Sequence, residues 1–90
     1  MYETKVYGYD FVVNGIYYNY DSYNNKARVS SGEKKYKGEI VIPSSVIYNG
    51  RELDVYVIDS KAFYECKDMT AVSLPNTIEI IYDNVFYRCI

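Results

Sequence analysis

Cys66 and Cys89 are the residues of this chain with the most chemistry open to them, and each closes a five-residue phrase. Ala62-Phe63-Tyr64-Glu65-Cys66 returns as Val85-Phe86-Tyr87-Arg88-Cys89, 23 residues further on. A nucleophilic cysteine needs a neighbouring base to hold it as thiolate, and the 90-residue chain contains no histidine. With no histidine and no Cys-x-x-Cys pair, a zinc site of ordinary ligands is ruled against as well. The carboxylates offer Glu52 with Asp54 and Asp59 with Glu65. Acid–base work demands two carboxyls held at separated pKa values inside a cleft. No cleft-forming stretch is visible, so these acids read as a solvated face. Lys34, Lys35 and Lys37 cluster between Glu33 and Glu39; so short a run reads as a solvated turn and not as a phosphate site. The glycines form no phosphate-loop pattern. The residues therefore call for no catalytic group, cofactor or metal.

The elements that place the cysteines follow from the repeat around them. Aligning residues 55–66 with 78–89 matches Val55 to Ile78, Val57 to Ile80, Ile58 to Ile81 and Ala62 to Val85. Phe63, Tyr64 and Cys66 match Phe86, Tyr87 and Cys89. Apolar positions recur while most others vary, the mark of a shared inward face. The repeat extends backwards: Ile40-Val41-Ile42-Pro43-Ser44-Ser45-Val46 matches Val72-Ser73-Leu74-Pro75-Asn76-Thr77-Ile78, here at an offset of 32. The nine extra residues have a source in Val46–Leu53, where Asn49-Gly50 is a strong two-residue hairpin turn. A hairpin has been inserted into the first copy.

A period near 23 lies within the ~20–29 residues of a solenoid of strands and turns. No unit of that size buries its own apolar face, so each stacks on the next. Residues 69–74 form a strand with Val72 and Leu74 inward and Ser73 outward, ended by Pro75; residues 78–81 form a second extended piece. Ser60 and Asp83 share one repeat position and are good helix N-caps. After them Phe63/Cys66 and Phe86/Cys89 lie three apart, on one face of a short helix or 3-10 turn. Phe63, Cys66, Phe86 and Cys89 are thus expected as a buried spine. Stacked equivalents sit ~4.8 Å apart, whereas disulfide Cβ atoms want ~3.8 Å. Buried free thiols are the favoured reading; a disulfide and a reactive pair remain as alternatives.

These motifs resemble the BspA-like leucine-rich repeat. The resemblance rests on Ile40-x-Ile42-Pro43, Ala62-Phe63-x-x-Cys66, Met69-x-x-Val72-x-Leu74-Pro75 and Val85-Phe86-x-x-Cys89, and covers residues 39–90. The glycine usual after the Ile-x-x-Ile element is replaced by Asp59 and Tyr82, and the second Ala-Phe reads Val85-Phe86. The resemblance implies a mostly β, leucine-rich-repeat solenoid fragment with short helical or 3-10 turns. It further implies a secreted or cell-surface protein, of the kind made by anaerobic gut and oral bacteria and some protozoa. Its implied work is adhesion and binding of a protein or glycan on a host or neighbouring cell, not catalysis.

Solenoids need ends. Residues 1–38 are expected as an N-terminal β-hairpin cap, ahead of a first copy at 39–66, with its inserted hairpin at 46–53, and a truncated second copy at 67–90. The cap's hairpin turns at Asn14-Gly15, pairing Val13 with Ile16, Phe11 with Tyr18 and Tyr9 with Tyr20 on one apolar face. Tyr17 is expected on the other face, and a third strand near residues 27–30. The chain is expected either as the N-terminal piece of a longer protein or as a short member that closes its open C-terminal end by self-association, as a homodimer or a domain swap through residues 76–90. Thirteen tyrosines suit half-buried strands. Tyr64 and Tyr87 are expected outward with Tyr82, either as contact residues or as ordinary scattered aromatics. Outward strand positions Glu39, Val41, Ala71 and Ser73 are the other candidate contacts. The net charge of −2 carries no basic stripe for nucleic acid, and no run approaches the ~20 apolar residues of a membrane span. The rivals to an adhesion module are a purely structural cap for a longer array and a glycan-active enzyme fragment.

Overall fold

The computed structural model describes residues 8–89. Two Asn-Gly pairs set its hairpins. Asn14 and Gly15 (φ 49° and 80°) join β1 (Phe11–Val13) to β2 (Ile16–Asp21), and Asn49 and Gly50 (φ 51° and 76°) join β5 (Ser45–Tyr48) to β6 (Arg51–Ile58). Positive φ at both central residues matches the right-handed twist of the flanking strands. The registers follow from it: Val13 faces Ile16, Phe11 faces Tyr18, and Tyr48 faces Arg51. β3 (Lys26–Ser30) adds antiparallel to β2.

Two parallel ladders carry the stacking. β4 (Gly38–Val41) pairs with β7 (Met69–Ser73), setting Glu39 opposite Ala71, Ile40 opposite Val72 and Val41 opposite Ser73. β6 pairs with β8 (Ile80–Ile81), setting Val57 opposite Ile80 and Ile58 opposite Ile81. Both registers are those of the sequence repeat. The inserted hairpin leaves the second ladder intact because β5 lies along residues 51–54 of β6, and β8 along 57–58.

β3 also pairs parallel with β6, Val29 opposite Ile58. The hairpin sheet is thus continuous with the repeat ladder and supplies a rung beneath β6, giving the order β1-β2-β3-β6-β5 with β8 beside β6. The backbone continues the ladder past the strand ends: the Asp59 amide donates to Val29 O (2.9 Å) and the Tyr82 amide to Ile58 O (3.1 Å).

The expected short helices are absent among the described residues. Residues 60–68 and 83–88 form linked turns instead, closed by amides donating three residues back, such as Ala62 to Asp59 and Cys66 to Phe63. Lys61, Glu65, Asn84 and Arg88 each adopt positive φ, between 55° and 66°, which no right-handed helix permits. Ser60 caps nothing; its hydroxyl donates across the stack to Asp83 O at 3.1 Å. The turns stack as the strands do, with the Phe63 amide on Val85 O and the Glu65 amide on Tyr87 O.

Side chains ride on this framework in layers. The Phe63 and Phe86 rings stack with centroids 5.5 Å apart, and those of Tyr64 and Tyr87 at 5.4 Å. Tyr36 meets the far side of Phe63 edge-on at 5.3 Å. Phe63 is fully buried between the two, whereas Phe86 is 44% exposed, contrary to the expectation of a buried ring. No described coil lies on its outer side. Cys66 is buried and Cys89 half-buried. Both are free thiols, and Cys89 Sγ rests 3.4 Å from Cys66 O.

Tyr17 departs from the expected outward position. It is only 9% exposed because residues 30–36 fold back over the second face of the hairpin. Its amide donates to Tyr36 Oη (3.0 Å), the Lys34 amide donates to its hydroxyl (3.2 Å), and Gly32 lies flat against its ring. Tyr9 does not pair with Tyr20. Its ring packs on Tyr17 (centroids 4.8 Å) and its hydroxyl donates to the Glu33 carboxylate, while the Tyr20 amide takes Asp10 Oδ2 as acceptor.

Candidate binding surface

The parallel register of β4 and β7 decides what the outer face of that ladder presents. Side chains alternate along a strand, so Ile40 and Val72 turn inward together while Glu39, Val41, Ala71 and Ser73 turn outward. Cross-strand pairing makes these four one patch, Glu39 beside Ala71 and Val41 beside Ser73. All four are exposed, Val41 by 68%. Two small side chains leave the backbone open to close approach. Tyr64 and Tyr87 stand elsewhere, on the stacked turns, Tyr64 half-buried and Tyr87 exposed. Lys35 and Lys61 ammonium groups lie over the Tyr64 ring, and the Arg88 guanidinium over Tyr87.

Beside the patch is a cleft of about 870 Å³, where none was expected. It opens between the β1–β2 turn and β4, and shares Glu39 and Val41 with the patch. Its apolar lining includes Val13, Ile16, Tyr36 and Ile40, and Lys34, Lys35 and Lys37 line it as well. Sequence reasoning missed it because its walls come from residues 13–18 and 34–43, which no repeat or motif links. Tyr18 also lines the cleft. Its phenol is fully buried without a hydrogen-bond partner among the described residues, and burial pushes its pKa up to about 12. Burial likewise raises the Tyr36 phenol and the Cys66 thiol, so neither is primed to ionise.

The paired carboxylates noted in the sequence lie outside the cleft, and three of the four have partners. Glu52 accepts the Ser45 hydroxyl (3.0 Å), Asp59 pairs with Arg28 (2.6 Å), and Glu65 lies 3.9 Å from Arg88. Arg28 ties the ladder together laterally, with Asp59 at one side and the Tyr82 ring at 5.7 Å. Burial works against its charge, but the hydrogen bond and charge of Asp59 outweigh that and raise its pKa. Nearby, the Tyr56 hydroxyl donates to Asp21 and holds that carboxyl below the usual range. These groups brace neighbouring strands and turns, whereas the carboxylates that line the cleft are Glu39 and Asp68.

Parallel ladders closed by stacked turns, with a hairpin sheet at one end, define a repeat solenoid of the leucine-rich class. Residues 39–90 match the family described as "BspA type Leucine rich repeat region (6 copies)". The chain belongs to that family. It resembles a solved leucine-rich repeat protein from Bacteroides ovatus ATCC 8483, at 30% identity over 90% of this chain and 21% of that one, with a TM-score of 0.82. A leucine rich cell surface protein from Faecalibacterium prausnitzii A2-165 shares the fold, at 20% identity and a TM-score of 0.73 over 97% of this chain and 22% of that one. The chain spans about a fifth of the length of each. No curated protein matches it.

Proposed function

We propose that this chain is a non-enzymatic binding module of a secreted or cell-surface adhesion protein. It contacts a protein or glycan on a neighbouring or host cell through the outward face of β4 and β7. The observation that carries the reading is the flat patch of Glu39, Val41, Ala71 and Ser73, fixed by register and open to solvent. Repeat arrays bind through extended surfaces of this kind, and family membership supports a repeat module. The tyrosine flank of Tyr64 and Tyr87 is the second contact surface. The continuity of β3 with β6 favours a further role as a cap for a longer array.

Binding of the fluorescently labelled chain to cultured epithelial and bacterial cells, read by flow cytometry, tests this. The account expects saturable binding that falls at least about tenfold in an Ala71→Arg/Ser73→Arg double variant of unchanged melting temperature. Prior treatment of the cells with protease or glycosidase tells a protein partner from a glycan. Equal binding by the variant, or no saturable binding to any cell, would overturn the proposal.

A further inference from the structure

β4 is an edge strand, and its Glu39, Ile40 and Val41 line the cleft. Among the described residues it pairs only with β7. The Gly38 amide donates to Asp68 O (2.8 Å) and the Ile42 amide to Ser73 O (2.9 Å). Strand alternation sends the N–H and C=O of Ile40 the same way, toward β7, and those of Glu39 and Val41 to the opposite side. There they meet no partner among the described residues. An open row of main-chain donors and acceptors is a template for a further strand.

The cleft along that row has the volume and lining of a binding groove. Its 870 Å³ lies within the ~300–1,000 Å³ of ligand sites. Val13, Ile16, Tyr36 and Ile40 supply an apolar lining for alternate side chains of an added strand. The charge is mixed with a small positive excess. Lys34, Lys35 and Lys37 line the groove together with Glu39 and Asp68, so three positive charges against two negative leave it at +1 in a chain of −2. Lys35 is committed to Tyr64 O at 2.9 Å. Lys34 and Lys37 have no ion pair among the described residues.

We infer that this groove takes an extended, acidic peptide segment of a partner protein, which adds to β4 as a new strand. Main-chain bonds to Glu39 and Val41 give affinity, and Lys34 and Lys37 select acidic side chains. The inference rests on the binding-module reading above and names the class of partner. A glycan or a free anion would leave the row of amides unused.

The test is fluorescence anisotropy of the full chain with fluorescein-labelled, end-capped octapeptides. One alternates valine and glutamate, one alternates valine and lysine, and two carry N-methyl groups on one or the other set of alternate amides of the glutamate peptide. The glutamate peptide should bind roughly fivefold or more tightly than the lysine peptide. One N-methylated peptide should lose binding while the other keeps it, because only one strand edge faces β4. A Lys34→Glu/Lys37→Glu variant, altered only at exposed positions, should reverse the charge preference. Equal affinities for both charges, indifference to N-methylation, or no saturable binding up to about 1 mM would overturn the inference. Concentration-dependent dimerisation abolished by the same lysine variant would also overturn it, since a second copy would then be the occupant. The Ala71→Arg/Ser73→Arg variant should still bind the peptide. Cell binding that persists while the peptide fails removes this inference alone and leaves the adhesion reading standing.

Discussion

Tyr18 has its phenol oxygen sealed inside the hairpin sheet with no described group to bond. A buried polar group left unpaired costs roughly 1–3 kcal/mol. Tyr18→Phe keeps the ring stacked on Phe11 (centroids 5.3 Å) and removes only the orphan oxygen. It should therefore raise stability by about 1 kcal/mol in urea unfolding; a loss of similar size would show that the hydroxyl has a partner in solution. Residues of the repeated phrase were legible in the sequence, since Phe63 and Cys66 are buried and Phe63 stacks on its counterpart. Tyr17 and Tyr36 were not. Their burial comes from a loop folding over a face that strand alternation assigns to solvent, and no period announces such a fold-back. Tyr36 fills the layer below Phe63 without any Ala-Phe-x-x-Cys phrase around it.

Hairpins were the most legible elements, because Asn-Gly turns fix register by backbone geometry alone. The turns after β6 and β8 were misread as helical. A three-residue spacing of Phe63 and Cys66 serves a helix and a chain of turns equally well, and positive φ at Lys61 or Glu65 has no glycine to advertise it. The loop after β3 offers a sharper test of element packing. A Cβ built on Gly32 would fall 2.1 Å from the Tyr17 ring, too close for any shift of a side-chain tip to relieve. Gly32→Ala should lower stability by about 1–3 kcal/mol, whereas Gly8→Ala, with nothing within 4 Å of the new methyl, should change it by less than ~0.5 kcal/mol. Equal melting of the two variants would show that the loop does not press on the hairpin.

The molecule as a whole is two parallel ladders and a stack of turns sharing one apolar spine. Its repeat was legible from Ile40 onward. Its first rung was not, because Val29 precedes Ile58 by 29 residues while Ile58 precedes Ile81 by 23, so β3 falls out of any fixed period. The cleft escaped notice for the same reason: it is made where the hairpin sheet meets β4, a junction between segments that share no pattern. Everything proposed for function presumes that layering. Proton NMR cross-peaks on the isotopically labelled chain examine it directly. The account predicts ring-to-ring peaks between Phe63 and Phe86, with interstrand backbone peaks of parallel pattern joining Val57 and Ile58 to Ile80 and Ile81, and Ala27 and Val29 to Val55 and Ile58. Phenylalanine rings without mutual peaks, or an antiparallel pattern between β6 and either neighbour, would contradict it.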